Sequence, residues 1–454
     1  MTFDRPAGGA HAASAREPSA DVYRVLAVVV VVIGHWLVSA VTYRDGQFGN
    51  DYPPDVMPWT RWLTLVFQVV PVFFVIGGYA NAASWARWCE SRDRHWLSWA
   101  RRRLAVILGP TTAYVVLAFA AMAVLARVGI APEALSFGGW AIAMHLWFVP
   151  IYLVVVTLTP VAVAAHRRWG LLVPAVLAVA VVVVDVAARL AHLPAIATAN
   201  YVLCWGAIYQ AGICWRGGAL RGRRPWLIAA AGAVVVAILL GLHWYPVSMV
   251  GAPGATEQNN FPPTAALLAY ASVQAALLIA VAPTVTRWLR GSRWQRPLAV
   301  ANNNVMAVYL WQMVPVVVVA LAGYPTGLLP QPEAGTGGWW LFRLVWLMIL
   351  ALVMVVEVAL LWLGRSIFNR PLPAIATPLP RWSAQGVLIV GVAITTFVLW
   401  RLAVEGFAPN GRFPISSAAL YCVAVVLLSL SPSRHHAETT AAEADTPRRR
   451  RPAG

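Results

Sequence analysis

An arginine and a histidine stand eleven residues apart in the first apolar stretch of the chain, at Arg24 and His35. On an ideal helix this spacing turns the two side chains by only about 20° relative to each other and separates them by roughly 16 Å. They therefore share one face at two depths. A guanidinium binds anions, an imidazole exchanges protons near neutral pH, and ionisable residues inside membrane spans are candidates for function. The alternative is structural: a histidine bonded to a neighbouring helix and an arginine that reaches the lipid headgroups.

The composition places this pair in a membrane protein. The chain has 454 residues, of which 60% are hydrophobic and 11% are charged, far from the average of soluble proteins. We predict an all-α fold, a polytopic membrane helical bundle with about 12 transmembrane helices. Windows of about 20 apolar residues place these helices near 22–42, 60–84, 104–127, 140–165, 171–190, 199–215, 226–243, 264–286, 298–322, 339–363, 385–405 and 414–430.

The basic residues indicate the orientation. The formal net charge is +17, but the arginines cluster between apolar stretches, as the positive-inside rule describes, so no nucleic-acid partner is expected. Their distribution predicts that both termini are cytoplasmic. We expect a cytoplasmic tail over 1–20, an integral membrane domain over 21–430, and a disordered basic cytoplasmic tail over 431–454.

Trp339 and Trp340 open a predicted span and are interpreted as part of an interfacial aromatic belt.

The cysteines predict neither a metal site nor a disulfide framework. The chain has four, Cys89, Cys204, Cys214 and Cys422, and they show no metal-ligand spacing. We therefore predict no metal and no permanently bound cofactor.

Four stretches resemble the motifs of one family, the acyltransferase-3 family of integral membrane enzymes. The family's first-helix signature is an Arg and a His with ten residues between them, which is matched by Arg24 and His35. FFVIGGY from Phe73, HLWFVP from His145 and VYLWQM from Val308 resemble its second-helix, mid-chain and late-helix motifs, in the expected order. The resemblance implies an enzyme that moves acyl groups onto envelope glycans and exported small molecules.

The resemblance implies that His35 and Arg24 are catalytic. Acyl transfer from a thioester to a hydroxyl needs a base for the hydroxyl proton and donors for the developing oxyanion. His35 suits the base, a covalent acyl-histidine is the alternative, and the sequence leaves both open. Depth counting places His145 and Gln312 at levels similar to that of His35. For His145 the competing interpretation is a hydrogen-bonded structural histidine beside Trp147.

Acyl-donor binding is expected at the inner ends of the spans. The run WARRRLAVILGP from Trp99 resembles the family's arginine-rich loop before the third span. This implies that Arg101, Arg102 and Arg103 bind the phosphates of coenzyme A, to which guanidinium groups bond in a bidentate manner. The chain departs from the family at Val106, where a second arginine is usual. Positive-inside orientation also places arginines here. Among the asparagines near the inner end of the ninth span, Asn303 is expected to line the donor channel or to cap the helix.

The remaining candidates are expected to form a secondary pocket. In FFVIGGY, Gly77 leaves room for an acyl-pantetheine chain, or serves helix packing alone. Gln312 hydrogen-bonds but does not titrate, which argues against a second base there. Glu357 is placed toward the donor side and is expected to pair with an arginine. The predicted members of the pocket are His145, Trp147, Gly77, Tyr309, Gln312 and Glu357.

These expectations combine into one function. We expect a multi-pass acyltransferase of the plasma membrane that takes an acyl group, with acetyl expected, from cytoplasmic acyl-CoA as co-substrate. It delivers that group to a hydroxyl of an extracytoplasmic or lipid-linked carbohydrate or an exported glycoside. The expected partners are therefore acyl-CoA, a carbohydrate or glycoside acceptor, and membrane lipids. The alternative is a secondary transporter of a small molecule, since twelve spans with both termini inside is also a transporter plan, although the two halves show no similarity.

Overall fold

The computed structural model describes residues 17–91, 95–251, 255 and 257–432. Most of the two predicted tails, 1–20 and 431–454, therefore lies outside the described residues. Regular structure in the described part is almost entirely helical. Its strands form two short pairs: β1 (Val41–Arg44) is antiparallel to β2 (Gln47–Asn50), and β3 (Ile375–Thr377) is parallel to β4 (Leu430–Pro432).

The first half of the chain alternates long apolar helices with short connecting ones. Several begin with a proline in the first turn, where the missing N–H costs no intrahelical hydrogen bond. The helices are α1 (Pro18–Val38), α2 (Pro53–Val56), α3 (Thr64–Phe67), α4 (Val70–Glu90), α5 (Trp96–Arg127), α6 (Pro132–Ala141), α7 (Phe148–Thr157), α8 (Thr159–Trp169), α9 (Leu172–Leu190) and α10 (Pro194–Ala197). Short 3₁₀ segments cover Pro58–Leu63 and Met144–Trp147.

The second half continues the same architecture. Two of its longest helices have side-chain caps: Thr264 accepts a hydrogen bond from the Leu267 N–H, and Thr336 accepts one from the Trp339 N–H. Such caps satisfy backbone donors that the first turn leaves unpaired. The helices are α11 (Asn200–Arg216), α12 (Arg224–Gly241), α13 (Ala265–Leu289), α14 (Gln295–Trp311), α15 (Val314–Gly323), α16 (Gly337–Leu363), α17 (Arg365–Phe368), α18 (Arg381–Glu405) and α19 (Ile415–Ser429), with a 3₁₀ turn at Pro409–Gly411.

Eight helical segments among the described residues are long and apolar enough to cross a bilayer, and two bent pairs raise this number to ten. One pair joins α6 to the segment Met144–Thr157 with a bend of 41°, and the other joins α14 to α15 with a bend of 45°. Two more predicted spans fall on α11 and α19, which have 17 and 15 residues, fewer than the roughly 20 that a typical bilayer requires. The all-α membrane fold is confirmed, while the count of twelve and the side on which the termini lie remain predictions.

Helix α1 packs against α4, α13, α14 and α16, while Leu26 and Val29 are exposed on its other side. Its last turn is closed by Ser39, whose backbone N–H and hydroxyl both donate to the carbonyl of His35. From α16, Arg343 donates through Nη1 to the carbonyl of Ser39 at 3.0 Å. A cation beside a helix C-terminus also complements the helix dipole. These contacts fix the end of α1 that carries His35.

Helices α4 and α11 touch through glycines. A Cβ added to Gly78 would overlap the carbonyl oxygen of Tyr209, and one added to Gly212 would overlap the carbonyl oxygen of Val75. Only residues without a side chain allow two backbones to approach so closely. The contact fixes the position of α4, which carries Gly77 one residue away.

Candidate active site

A single cavity of about 540 Å³ runs beside α1, from Arg24 at one end to His35 and beyond at the other. Helices α4, α5, α7 and α14 contribute to its walls. Eight of the twelve residues predicted for the site lie on it. They are Arg24, His35, Gly77, Arg103, His145, Trp147, Asn303 and Tyr309.

The orientation of the His35 ring follows from its hydrogen-bond partner. Nδ1 of His35 lies 3.0 Å from Oε1 of Gln312, and Nε2 of Gln312 donates to the backbone carbonyl of Tyr309 at 3.0 Å. A carbonyl only accepts hydrogen bonds, so the amide nitrogen of Gln312 must face Tyr309 and its oxygen must face His35. The proton of the neutral imidazole is therefore on Nδ1. This leaves the lone pair on Nε2, the nitrogen free to act as a base.

Gln312 is placed by a break in the helix. It follows the last residue of α14 and precedes α15, at the bend between them. Its side chain is fully buried, and its backbone carbonyl accepts a hydrogen bond from the indole of Trp36 at 2.8 Å. Backbone groups freed by a break inside a membrane must find partners in the protein. Trp36 therefore ties the break to α1, beside His35.

His145 lies at the other helix break, which comes earlier in the chain, directly after the bend that follows α6. Its backbone carbonyl accepts a hydrogen bond from the hydroxyl of Tyr309 at 2.5 Å. Its ring is 1% exposed, and neither ring nitrogen makes a hydrogen bond of normal geometry to a described residue, although the backbone of Leu310 lies near. His145 is therefore a buried imidazole on the cavity wall whose ring nitrogens have no hydrogen bond of normal geometry among the described residues.

Two arginines lie at the end of the cavity for which donor binding was predicted. This end is lined by Arg24, Arg103, Asn302 and Asn303 and is here called the donor end. Nη1 of Arg24 donates to Oδ1 of Asn302 at 2.9 Å, and Asp21 lies 3.7 Å from the same nitrogen. Nε and Nη2 of Arg103 both donate to Oδ1 of Asn81, at 2.8 and 2.5 Å. Amide oxygens hold a guanidinium in place without neutralising it.

The structure does not place Arg101 and Arg102 with the other donor candidates. The predicted loop is already helical, because α5 begins at Trp96. Successive helical residues point about 100° apart, so three adjacent arginines cannot share a face. Arg103 lines the cavity, Arg102 is exposed, and Arg101 donates to the carbonyl of Ala384 in α18 at 2.8 Å. Neither Arg101 nor Arg102 is among the described residues that line the cavity.

Glu357 also lies off the cavity wall. Both of its carboxylate oxygens are buried and have no hydrogen-bond partner among the described residues, so the expected pairing with an arginine is absent there. Gly77 does lie on the wall, where a Cβ would come within 2.8 Å of the hydroxyl of Tyr152. The missing side chain therefore makes room for the Tyr152 ring.

The opposite end of the cavity, here called the tryptophan mouth, is formed by Tyr52, Asn260, Phe261, Trp339 and Trp340. The rings of Trp339 and Trp340 meet edge to face at 4.7 Å. The Tyr52 hydroxyl donates to the carbonyl of Val250 at 3.3 Å, and burial raises the pKa of this phenol, so it stays protonated. The interfacial interpretation of the two tryptophans missed their position on the cavity.

Two polar residues of the site were also missed, Tyr152 on the cavity wall and Asn81, which holds Arg103, although the sequence held a signal for each. Asn81 is four residues after Gly77 and therefore on the same helical face. Tyr152 follows His145 by seven residues, close to two helical turns. The loop residue Asn260 has no periodic pattern around it, and its position in the cavity follows only from the fold.

Comparison with known proteins gives the family. A family model described as an acyltransferase domain, that of the acyltransferase-3 family, matches residues 17–362, which include every residue of the cavity wall named above. No curated protein and no solved structure matches the chain significantly. Because the matched region covers well over half of the sequence, the chain belongs to the acyltransferase-3 family and is a membrane acyltransferase.

Proposed function

We propose that the enzyme transfers an acyl group, with acetyl expected, from acyl-CoA to a hydroxyl of a carbohydrate or glycoside. The observation that carries the proposal is one continuous cavity that joins two arginines to a histidine with a defined free nitrogen. The roughly 16 Å between Arg24 and His35 along α1 suits an extended pantetheine arm. The phosphates of the donor lie at the arginines, and its thioester reaches the imidazole.

The donor end suits a polyanion. Arg103 is held by the neutral amide of Asn81 and keeps its positive charge for an incoming phosphate. Arg24 bonds the amide of Asn302 and also pairs with Asp21 at 3.7 Å. Guanidinium groups bind phosphate through paired, charge-assisted hydrogen bonds. Asn303, exposed beside them on α14, adds an amide that can bond the donor's own amides.

The chemistry follows from the free Nε2 of His35. Nε2 takes the proton of the acceptor hydroxyl while the hydroxyl oxygen attacks the thioester carbon, which gives a tetrahedral intermediate. The carbon–sulfur bond then breaks, the electron pair leaves with sulfur, and the imidazolium returns its proton to the thiolate. The products are the ester and free coenzyme A. Gln312 keeps the ring in the competent tautomer throughout, since Nδ1–H donates to its oxygen.

His145 is placed to stabilise the oxyanion of that intermediate. A neutral imidazole carries one N–H donor, and the ring nitrogens of His145 have no partner of normal geometry among the described residues. The ring lies on the cavity wall, close enough to His35 for electrostatic interaction. A donor held ready in a buried site costs no reorganisation when charge develops on the oxygen. Its single N–H is the donor that we assign to the carbonyl oxygen.

An acyl-histidine on Nε2 is the alternative route. It predicts a rapid release of one equivalent of coenzyme A per enzyme when acceptor is absent, whereas the general-base route predicts none.

Transport is the weaker candidate. The two bent helix pairs at the cavity resemble the discontinuous helices of transporters, but a transporter needs no base with a defined tautomer. Membership of an acyltransferase family favours chemistry at the same place.

The test uses purified protein in proteoliposomes, radiolabelled acetyl-CoA as donor, and 4-nitrophenyl pyranosides as acceptor probes. His35→Ala is expected to lower the transfer rate by about two to four orders of magnitude with acetyl-CoA affinity unchanged. Arg24→Ala is expected to weaken acetyl-CoA binding, and Arg24→Lys to restore it only partly, because an ammonium lacks the bidentate fork. Near-normal transfer by well-folded His35→Ala protein would contradict the proposed base.

We further propose that the termini and the donor end are cytoplasmic and that the tryptophan mouth faces outward. Support comes from the clustering of arginines between spans. In a variant lacking Cys89 and Cys422, a cysteine at Asn50 should react with an impermeant maleimide added outside cells. A cysteine at Arg221 should react only after the membrane is opened. Labelling of both from outside would overturn this orientation.

A further inference from the structure

Asn260 carries an unused hydrogen-bond acceptor at the tryptophan mouth. The residue is 3% exposed, it lines the cavity, and its Oδ1 is buried without a partner among the described residues. Its neighbour Asn259 differs, since its side chain bonds the carbonyls of Pro246 and Ser248 and the hydroxyl of Thr264. One asparagine therefore holds the loop together, while the next lies on the cavity wall and has a buried amide oxygen that no described residue bonds.

A buried acceptor without a partner is costly, because it has lost water and gained nothing in return. An O–H or N–H group in the cavity removes that cost, whereas a hydrocarbon chain leaves it in place. Asn260 therefore selects a ligand with a hydroxyl or amine at this position over a purely apolar one.

Aromatic rings give the rest of the mouth its shape. Trp340 contacts Trp339 edge to face and lies 5.7 Å from Trp59, while Phe261 packs edge-on against Trp147 at 5.2 Å. Indole rings combine a broad apolar face with a polar edge. The C–H face of a pyranose packs against such a surface, and its hydroxyls point to the rim. A ligand with one apolar face and hydroxyls at its edge fits this combination.

We propose that the tryptophan mouth is the acceptor subsite, where Asn260 Oδ1 accepts a hydrogen bond from a ring hydroxyl of a pyranoside that packs on Trp340. This deepens the proposed function and rests on it for the identity of the reaction. His35 lines the same cavity, and the proposal requires that a second hydroxyl of the bound ring reach its Nε2. Asn260 is then a specificity-determining residue: it holds one hydroxyl and so decides which other hydroxyl is acylated.

The test measures binding without donor and without turnover, so that it does not depend on catalysis. Purified protein is dialysed against 4-nitrophenyl glucoside, galactoside and mannoside, and the tightest binder is compared with the 4-nitrophenyl tetrahydropyranyl ether, the same ring without hydroxyls. The variants are Asn260→Leu, which removes the acceptor, and Asn260→Asp, which keeps an acceptor oxygen. Asn50→Leu, at an exposed asparagine of the neighbouring hairpin, is the control.

We expect Asn260→Leu to weaken pyranoside binding roughly 3- to 10-fold, the effect of one hydrogen bond. Asn260→Asp and Asn50→Leu should bind as the wild type does, and all should bind the ether equally. Equal loss of pyranoside and ether would show a structural role and overturn the proposal, as would unchanged pyranoside affinity or no pyranoside binding by the wild type.

Trp340→Ala provides a second variant in case Asn260→Leu does not fold. It should weaken binding of pyranoside and ether alike and leave coenzyme A affinity intact, and unchanged pyranoside affinity would overturn the proposed packing on Trp340. If the pyranoside results are as expected but no acyl group is ever transferred from acyl-CoA, the proposed function fails and the subsite stands.

Discussion

Replacing Gln312 by methionine tests whether this residue acts through His35. Methionine is similar in length and apolar, so the substitution removes the acceptor of Nδ1–H at little cost in volume. One hydrogen bond contributes about 1 kcal/mol, which is roughly a fivefold change in the tautomer ratio. Leaving the buried N–H without a partner costs up to about 3 kcal/mol, or roughly 100-fold. We expect kcat to decrease by a factor between these two values, roughly 5- to 100-fold.

The assay is acetyl transfer from radiolabelled acetyl-CoA to the pyranoside that binds best, with kcat and the KM for acetyl-CoA measured separately. The donor KM should not change, because Gln312 bonds His35 and the Tyr309 carbonyl and not the arginines of the donor end. Gln210→Met is the matched control: Gln210 is also buried and bonds a backbone carbonyl, that of Ala162, but its described hydrogen bond does not involve His35, whereas one of the hydrogen bonds of Gln312 does. It should leave kcat unchanged.

The double variant His35→Ala, Gln312→Met shows whether Gln312 acts through His35 or independently of it. A residue that acts only through His35 has nothing to position once the imidazole is gone, so the double variant should be no slower than His35→Ala alone. Losses that multiply would refute the positioning role, and so would a raised donor KM in Gln312→Met.

Three further outcomes are expected. Arg103→Ala should weaken acetyl-CoA binding, measured by equilibrium dialysis, while Arg102→Ala should not, and equal losses would point to a general charge effect. Gly78→Ala should lower the thermal unfolding temperature of the purified protein, because its methyl group meets the Tyr209 carbonyl, whereas Gly206→Ala in α11, with open space around it, should not. His145→Ala should lower kcat by roughly 10²- to 10³-fold, as removal of one oxyanion donor does, with donor affinity retained; unchanged kcat would exclude the oxyanion role.

The sequence was sufficient for the membrane fold and for the pair on α1. Apolar stretches long enough to span a bilayer leave few alternatives, and the helical period alone puts Arg24 and His35 on one face. The sequence did not show which arginine of the cluster lines the cavity. Periodicity shows that three adjacent arginines point in different directions, but it does not show which of them faces a cavity.

The helix breaks explain most of what was missed. A continuous ninth span predicted Gln312 at the level of His35, which it contacts, but gave no reason for its amide to bond the Tyr309 carbonyl as well. A signal was present, because a proline follows each break, at Pro150 and Pro315, and proline often marks an interruption in a helix. The mouth residue Asn260 could not be found in this way, since loops carry no period.

The hydrogen bond from Tyr309 to the carbonyl of His145 also has a consequence for how the protein is made. The two residues are 164 positions apart, so during synthesis the first helix break enters the bilayer long before its partner exists. Hydrocarbon offers no substitute for the Tyr309 hydroxyl, and this hydrogen bond cannot form until α14 arrives. The hydrogen bond from the Trp36 indole to the carbonyl of Gln312 forms later still, because Gln312 follows Trp36 by 276 positions. The part of the candidate site around His35 and His145 is therefore completed only when α14 and the start of α15 pack against helices already in the membrane.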